Sequence, residues 1–141
     1  MTFFTRQIVA LFSLLTAFNA VADLNNVNFS GEWINQRDSI LILENVDDSG
    51  LKGTFTTAVA NTQSCVGKAV PINGIHNGNA AAFSLSMESC GSPVAIAFSG
   101  TLQIDENNKE TLSTMYLVQW KGEDTWKSRV IGTDTFVRAD K

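Results

Sequence analysis

The sequence predicts an all-β protein, an eight-stranded antiparallel up-and-down β-barrel, from three observations. Aliphatic and β-branched residues alternate with polar ones at period two, hairpin-length turns separate successive runs, and no segment sustains a helical period. Short strands joined in this way close into a barrel, with a β-sandwich as the alternative. The choice matters: an eight-stranded barrel has room inside for one small ligand, whereas a sandwich fills its interior with side chains.

The chain begins with a segment outside that pattern. Arg6 gives a weakly positive start, Ile8 to Phe18 is an apolar run, and Ala20-Val21-Ala22 puts small residues where a signal peptidase reads. Residues 1–22 read as a cleaved secretion signal, the alternative being an amphipathic N-terminal helix. The run is shorter than the roughly 20 apolar residues that span a bilayer. The domain at 23–141 is then secreted or periplasmic, with no membrane partner once the signal is gone.

A short strand is expected at Gly31 to Asn35 and a second at Ser39 to Val46, followed by the turn Asp47-Asp48-Ser49-Gly50. Leu51 to Asn61 resumes, with Phe55, Thr57 and Val59 on one face. Ala69 to His76 and Ala80 to Met87 form a hairpin around Asn77-Gly78-Asn79. Val94 to Ile104, Glu110 to Gln119 and Trp126 to Arg138 complete the barrel.

Composition narrows the function. A chain of 141 residues that is 44% hydrophobic and 17% charged fits one compact domain and excludes intrinsic disorder. Its formal charge of −4, with no Lys/Arg cluster, leaves nothing to neutralise a phosphate backbone, so nucleic acid is excluded as a partner. Cys65 and Cys90 are the only cysteines; an even count in an exported chain argues for one disulfide over two unpaired buried thiols. With a single histidine, no metal site is expected.

Catalytic residues are not expected either. HExxH, GxSxG and Walker-type segments are absent, and His76 beside an Asn-Gly turn reads as exposed and without a role. Asp47-Asp48 and Glu123-Asp124 fall in turns, where nothing raises a carboxyl pKa for acid–base work. The sequon Asn28-Phe29-Ser30 would matter only in a glycosylating host. The informative residues are polar groups on inward faces: Asn35 with Trp33, Ser39, Thr57 beside Phe55, and Asp134 alternating with Gly132 and Phe136. In an apolar interior an unpaired polar group costs about 1–3 kcal/mol, so these groups satisfy one another, meet water at an open mouth, or meet a ligand.

At these residues the chain resembles the avidin and streptavidin family. Gly31-Glu32-Trp33-Ile34-Asn35 with Ser39 is similar to that family's first-strand signature, and Gly53-Thr54-Phe55-Thr56-Thr57-Ala58-Val59 to its third strand. Asn107-Asn108-Lys109-Glu110 through Ser113-Thr114-Met115-Tyr116-Leu117-Val118 is similar to its seventh. Trp126-Lys127-Ser128 and Gly132-Thr133-Asp134-Thr135-Phe136 are similar to its eighth. The resemblance runs from residue 28 to 138; a lone Gly-x-Trp would be weak, since lipocalins share it.

The resemblance implies a biotin site. Asn35 and Ser39 match donors to the ureido oxygen; Thr57 and Asp134 match acceptors for the two ureido N–H groups. Ala60 and Asn61 match the loop that closes over the valeryl carboxylate and Phe98 matches an aromatic wall, with Val59 and Val118 as further residues of the implied site. Trp126 matches a lid lent by a neighbouring subunit, which implies a homo-oligomer. Several positions depart from the pattern. Phe55 stands where the family has a tyrosine donor, Met87 and Tyr116 stand where tryptophans are usual, hydroxyls expected near Val94 and Ile96 are missing, and Arg37 replaces an apolar residue. These departures imply weaker binding than in typical members.

The cysteine pair resembles that of a bacterial branch whose disulfide joins the loops after the third and fifth strands. Members of that branch are often dimers and often lack the lid tryptophan; Trp126 favours a tetramer here. Two functions of different class follow: a protein that sequesters biotin, or a barrel that holds another small cyclic urea or amide or acts as an oligomeric surface protein. Hydrolysis of a biotin conjugate is a distant third.

Overall fold

The computed structural model describes residues 27–60, 63–88, 90–122 and 127–139. Eight strands lie among them: β1 Gly31–Asn35, β2 Ile40–Asn45, β3 Gly50–Thr56, β4 Ala69–Asn77, β5 Ala80–Met87, β6 Val94–Ile104, β7 Glu110–Trp120 and β8 Arg129–Arg138. Each pairs antiparallel with the next, and β8 returns to β1 through Trp33↔Arg138, Ile34↔Val137 and Asn35↔Phe136. The barrel is closed, so the sandwich alternative does not hold.

The two-residue period that predicts the strands also sorts their side chains. In β5, Ala81, Phe83, Leu85 and Met87 are buried while Ala80, Ala82, Ser84 and Ser86 face outward. At the β2–β3 turn Asp47 Oδ1 accepts the N–H groups of Ser49 and Gly50, 2.9 and 2.5 Å away. Those two bonds favour the charged form, so the Asp47 carboxyl titrates below its ordinary value. Asp105 holds the β6–β7 turn in the same way, accepting from Asn107 and Lys109 at 2.8 Å each. Gly78, at φ 55°, supplies the left-handed residue of the β4–β5 hairpin.

These three turns share one end of the barrel, which is closed by packing. Phe29, Trp33, Leu112 and Phe136 are fully buried there, and Trp33 Nε1 donates to the Phe29 carbonyl at 2.9 Å. The Arg138 guanidinium lies 4.2 Å from the centre of the Trp33 ring, forms an ion pair with Glu110, and donates to the carbonyls of Ser30 and Asn28 at 2.7 and 2.6 Å. Among the described residues its polar partners are all acceptors, and its flat face lies on a ring.

Several boundaries differ from expectation. The second strand occupies Ile40–Asn45 rather than starting at Ser39, and the third stops at Thr56, well short of Asn61. Thr57 ends the ladder because its hydroxyl donates to the Val59 carbonyl at 2.6 Å, bending the chain into the loop that carries the 3-10 turn Gln63–Cys65. The seventh strand runs on to Trp120, and the eighth begins at Arg129 instead of Trp126. His76 is half-buried rather than exposed. It sits inward with Ile72 and Gly74, its ring 5.3 Å from that of Phe29 and its Nε2 3.0 Å from Asn45 Nδ2. The segment 1–22, Asn61, Glu123-Asp124 and Trp126 lie outside the described residues.

Candidate functional site

The β1–β2, β3–β4, β5–β6 and β7–β8 connections gather at the other end, around a cavity of about 620 Å³. Cys65 and Cys90 form a disulfide across its rim, with Cα atoms 5.0 Å apart, tying the β3–β4 loop to the β5–β6 loop. The cavity is within the size range of small-molecule sites.

Its walls are apolar and aromatic. Phe98 stands at the centre of a ring cluster, stacked on Phe83 at 4.9 Å and tilted against Phe55 at 5.5 Å and Tyr116 at 6.0 Å. Gly132 makes room for Tyr116: a Cβ there would lie 2.4 Å from the tyrosine Oη. Met87, Val118, Val59 and Ala60 also line the space. So does Trp120, which the sequence reading missed; the alternation Tyr116, Val118, Trp120 would have found it, had the strand been extended by one residue. Val94, Ile96, Ser92 and Val130 complete the wall near the rim.

Four polar side chains far apart in the chain converge at the deep end, and their local bonds fix what each has left to offer. Asn35, 4% exposed, accepts the Ser39 and Arg37 N–H groups on Oδ1 at 2.8 and 3.0 Å. That use of the carbonyl orients the amide and leaves Nδ2 buried without a hydrogen-bond partner. Asn35 stands just behind the wall, whereas Ser39, Thr57 and Asp134 line the cavity. Ser39 Oγ accepts the Ala58 N–H at 3.1 Å, so its proton remains available for donation. Thr57 is the converse: its proton goes to the Val59 carbonyl, and its oxygen, which accepts the Val59 N–H at 3.3 Å, keeps a second lone pair to accept with. Asp134, 3% exposed, is an acceptor on both oxygens.

Arg37 enters this group from the β1–β2 turn. It forms an ion pair with Asp134 Oδ1, which also accepts from Gln36 Nε2 at 3.1 Å, and donates to the Tyr116 hydroxyl at 3.2 Å. The bond to Tyr116 and the Asp134 charge hold the guanidinium above its ordinary pKa against the opposing pull of burial. Of the residues expected at the site, Asn61 and Trp126 lie outside the described residues. No group of three His, Cys, Asp or Glu side chains able to hold a metal occurs among the described residues.

A closed antiparallel barrel with an aromatic-walled cavity and buried polar side chains has the architecture of a protein that binds one small ligand in its interior. The Avidin family profile matches residues 23–139, and the chain belongs to that family. It is 31% identical over 117 residues to avidin-related protein 4/5 of Gallus gallus, covering 79% of this chain and 77% of that protein. It is 29% identical over 119 residues to avidin of Gallus gallus, covering 79% and 78%. Among solved structures it resembles Xenavidin, with a TM-score of 0.71 at 27% identity, covering 79% of this chain and 98% of that one. The family's members are non-enzymatic biotin-binding proteins that use no cofactor.

Proposed function

We propose that this chain is a secreted protein that sequesters biotin inside its barrel. Asn35 and Ser39 donate to the ureido oxygen, and Thr57 and Asp134 accept from the ureido N–H groups. Phe55, Met87, Phe98, Tyr116 and Val118 enclose the bicyclic ring, while Val59, Ala60 and Asn61 close over the carboxylate. The observation that carries this reading is the polarity of the deep end. Two side chains keep donors and two keep acceptors, and the Asn35 amide is buried with its Nδ2 unpartnered. A neutral urea supplies the complement of that set.

Secretion is supported by the disulfide and by a family match that begins directly after Ala22. Assembly as a homotetramer, with Trp126 covering a neighbour's site, is supported by the apolar outer face of β7 and β8. There Met115, Leu117 and Ile131 lie exposed side by side. Binding is weaker than in typical members because Phe55 has no hydroxyl to donate.

Calorimetry and thermal melting of the purified protein with biotin and desthiobiotin test the reading. Binding heat and a raised melting temperature are expected; neither effect at millimolar biotin would reject it, because a ligand specific to the native state must stabilise it. Phe55→Tyr restores one donor and is expected to tighten binding about tenfold, the equivalent of one added hydrogen bond. The second reading, another small cyclic urea or amide as ligand, rests on the Arg37–Asp134 pair, and the same measurements with such compounds separate the two.

A further inference from the structure

Two buried donors in the binding region have no acceptor, Asn35 Nδ2 and Arg37 Nε. Beside them Asp134, the one buried carboxylate among the described residues, is paired with Arg37. We infer that Arg37 is an affinity-determining residue that competes with the ligand: its guanidinium takes the place of a ureido group at Asp134, and biotin must displace it to bind. This rests on the biotin reading of the site.

A guanidinium and a cyclic urea are both planar, three-armed groups that present N–H donors, so either can serve the Asp134 carboxylate. They differ in the third arm. A urea ends in a carbonyl acceptor, whereas a guanidinium has donors alone. Arg37 therefore satisfies Asp134 but has nothing to offer Asn35 Nδ2, and both groups are left with unmet donors. Both atoms lack an acceptor, which a ligand carbonyl would bring.

The geometry also allows the exchange. Arg37 comes from the short β1–β2 connection, and its side chain is 39% exposed against 3% for Asp134, so the cation has a path to water that the carboxylate lacks. Its contact with Asp134 falls on Oδ1, as does that of Gln36, so a ligand N–H has Oδ2 to approach while Arg37 withdraws. The Tyr116 hydroxyl, which accepts from Arg37 Nη1, holds the cation on the cavity side of the turn. The competition acts against any ligand unable to offer both an N–H and a carbonyl. It sets specificity as well as affinity.

The test is biotin calorimetry on the full-length folded protein with Arg37 and with Arg37→Leu, at low and high salt. Arg37→Leu is expected to bind about tenfold tighter, the equivalent of about 1.4 kcal/mol. High salt should narrow the gap by screening the pair in the unsubstituted protein. Arg37→Gln, which keeps a neutral donor beside Asp134, should tighten binding by a smaller factor and covers the case in which the leucine variant fails to fold. Equal or weaker binding by the folded variants would overturn the inference while biotin binding itself stood; weaker binding would mean that Arg37 donates to the ligand. Absence of binding to every form would overturn both readings together.

Discussion

Arg138 and Arg37 sit at opposite ends of one barrel, and their surroundings differ in a way that separates structure from function. At the closed end Arg138 meets a carboxylate, two backbone carbonyls and the face of Trp33, so its donors are matched. At the cavity end Arg37 meets Asp134 and Tyr116 while its Nε and the neighbouring Asn35 Nδ2 go unpaired. A cation that completes its surroundings stabilises the fold. One that leaves its neighbours incomplete is, on the reading proposed above, where the ligand competes.

Substitutions at the closed end should therefore act on stability and leave the ligand's contacts alone. The largest effect is expected from Trp33→Ala, which removes a fully buried ring and its bond to Phe29. A loss of about 3–5 kcal/mol in urea unfolding is expected, and a loss under about 1 kcal/mol would break the distinction between the two ends. Arg138→Met keeps some of the packing on Trp33 but strips Glu110 and two carbonyls of their donor. About 1–3 kcal/mol is expected, more than Arg37→Leu costs in the same assay.

The smallest effect belongs to the β2–β3 turn. Because the folded Asp47 pKa is depressed, its contribution is present above the ordinary carboxylate value and is lost as pH falls through the lowered one. Acid titration of the melting temperature should thus fall more steeply for the unsubstituted protein than for Asp47→Asn. Parallel curves would remove the turn from the account.

Much of this was readable in the sequence because it follows from neighbours along the chain. Period-two runs marked the strand Ala80 to Met87, and Asp47 and the Asn77-Gly78 pair located two of the turns. Ser39, Thr57 and Asp134, which the resemblance singled out, line one cavity. What escaped was of two kinds. Strand ends are decided by competing side-chain bonds, so Thr57 stopped one strand early and Trp120 was lost from the cavity wall. Long-range pairs leave no local trace: nothing near Arg37 announces Asp134, 97 positions away, and proximity to a turn hid that His76 packs on Phe29.

The bond between Cys65 and Cys90 has a kinetic consequence. It makes one hoop of two rim segments, so on the proposed reading a ligand leaving the interior is expected to depart more slowly than from the reduced protein. Residence time, more than the speed of entry, is where such a hoop exerts its effect.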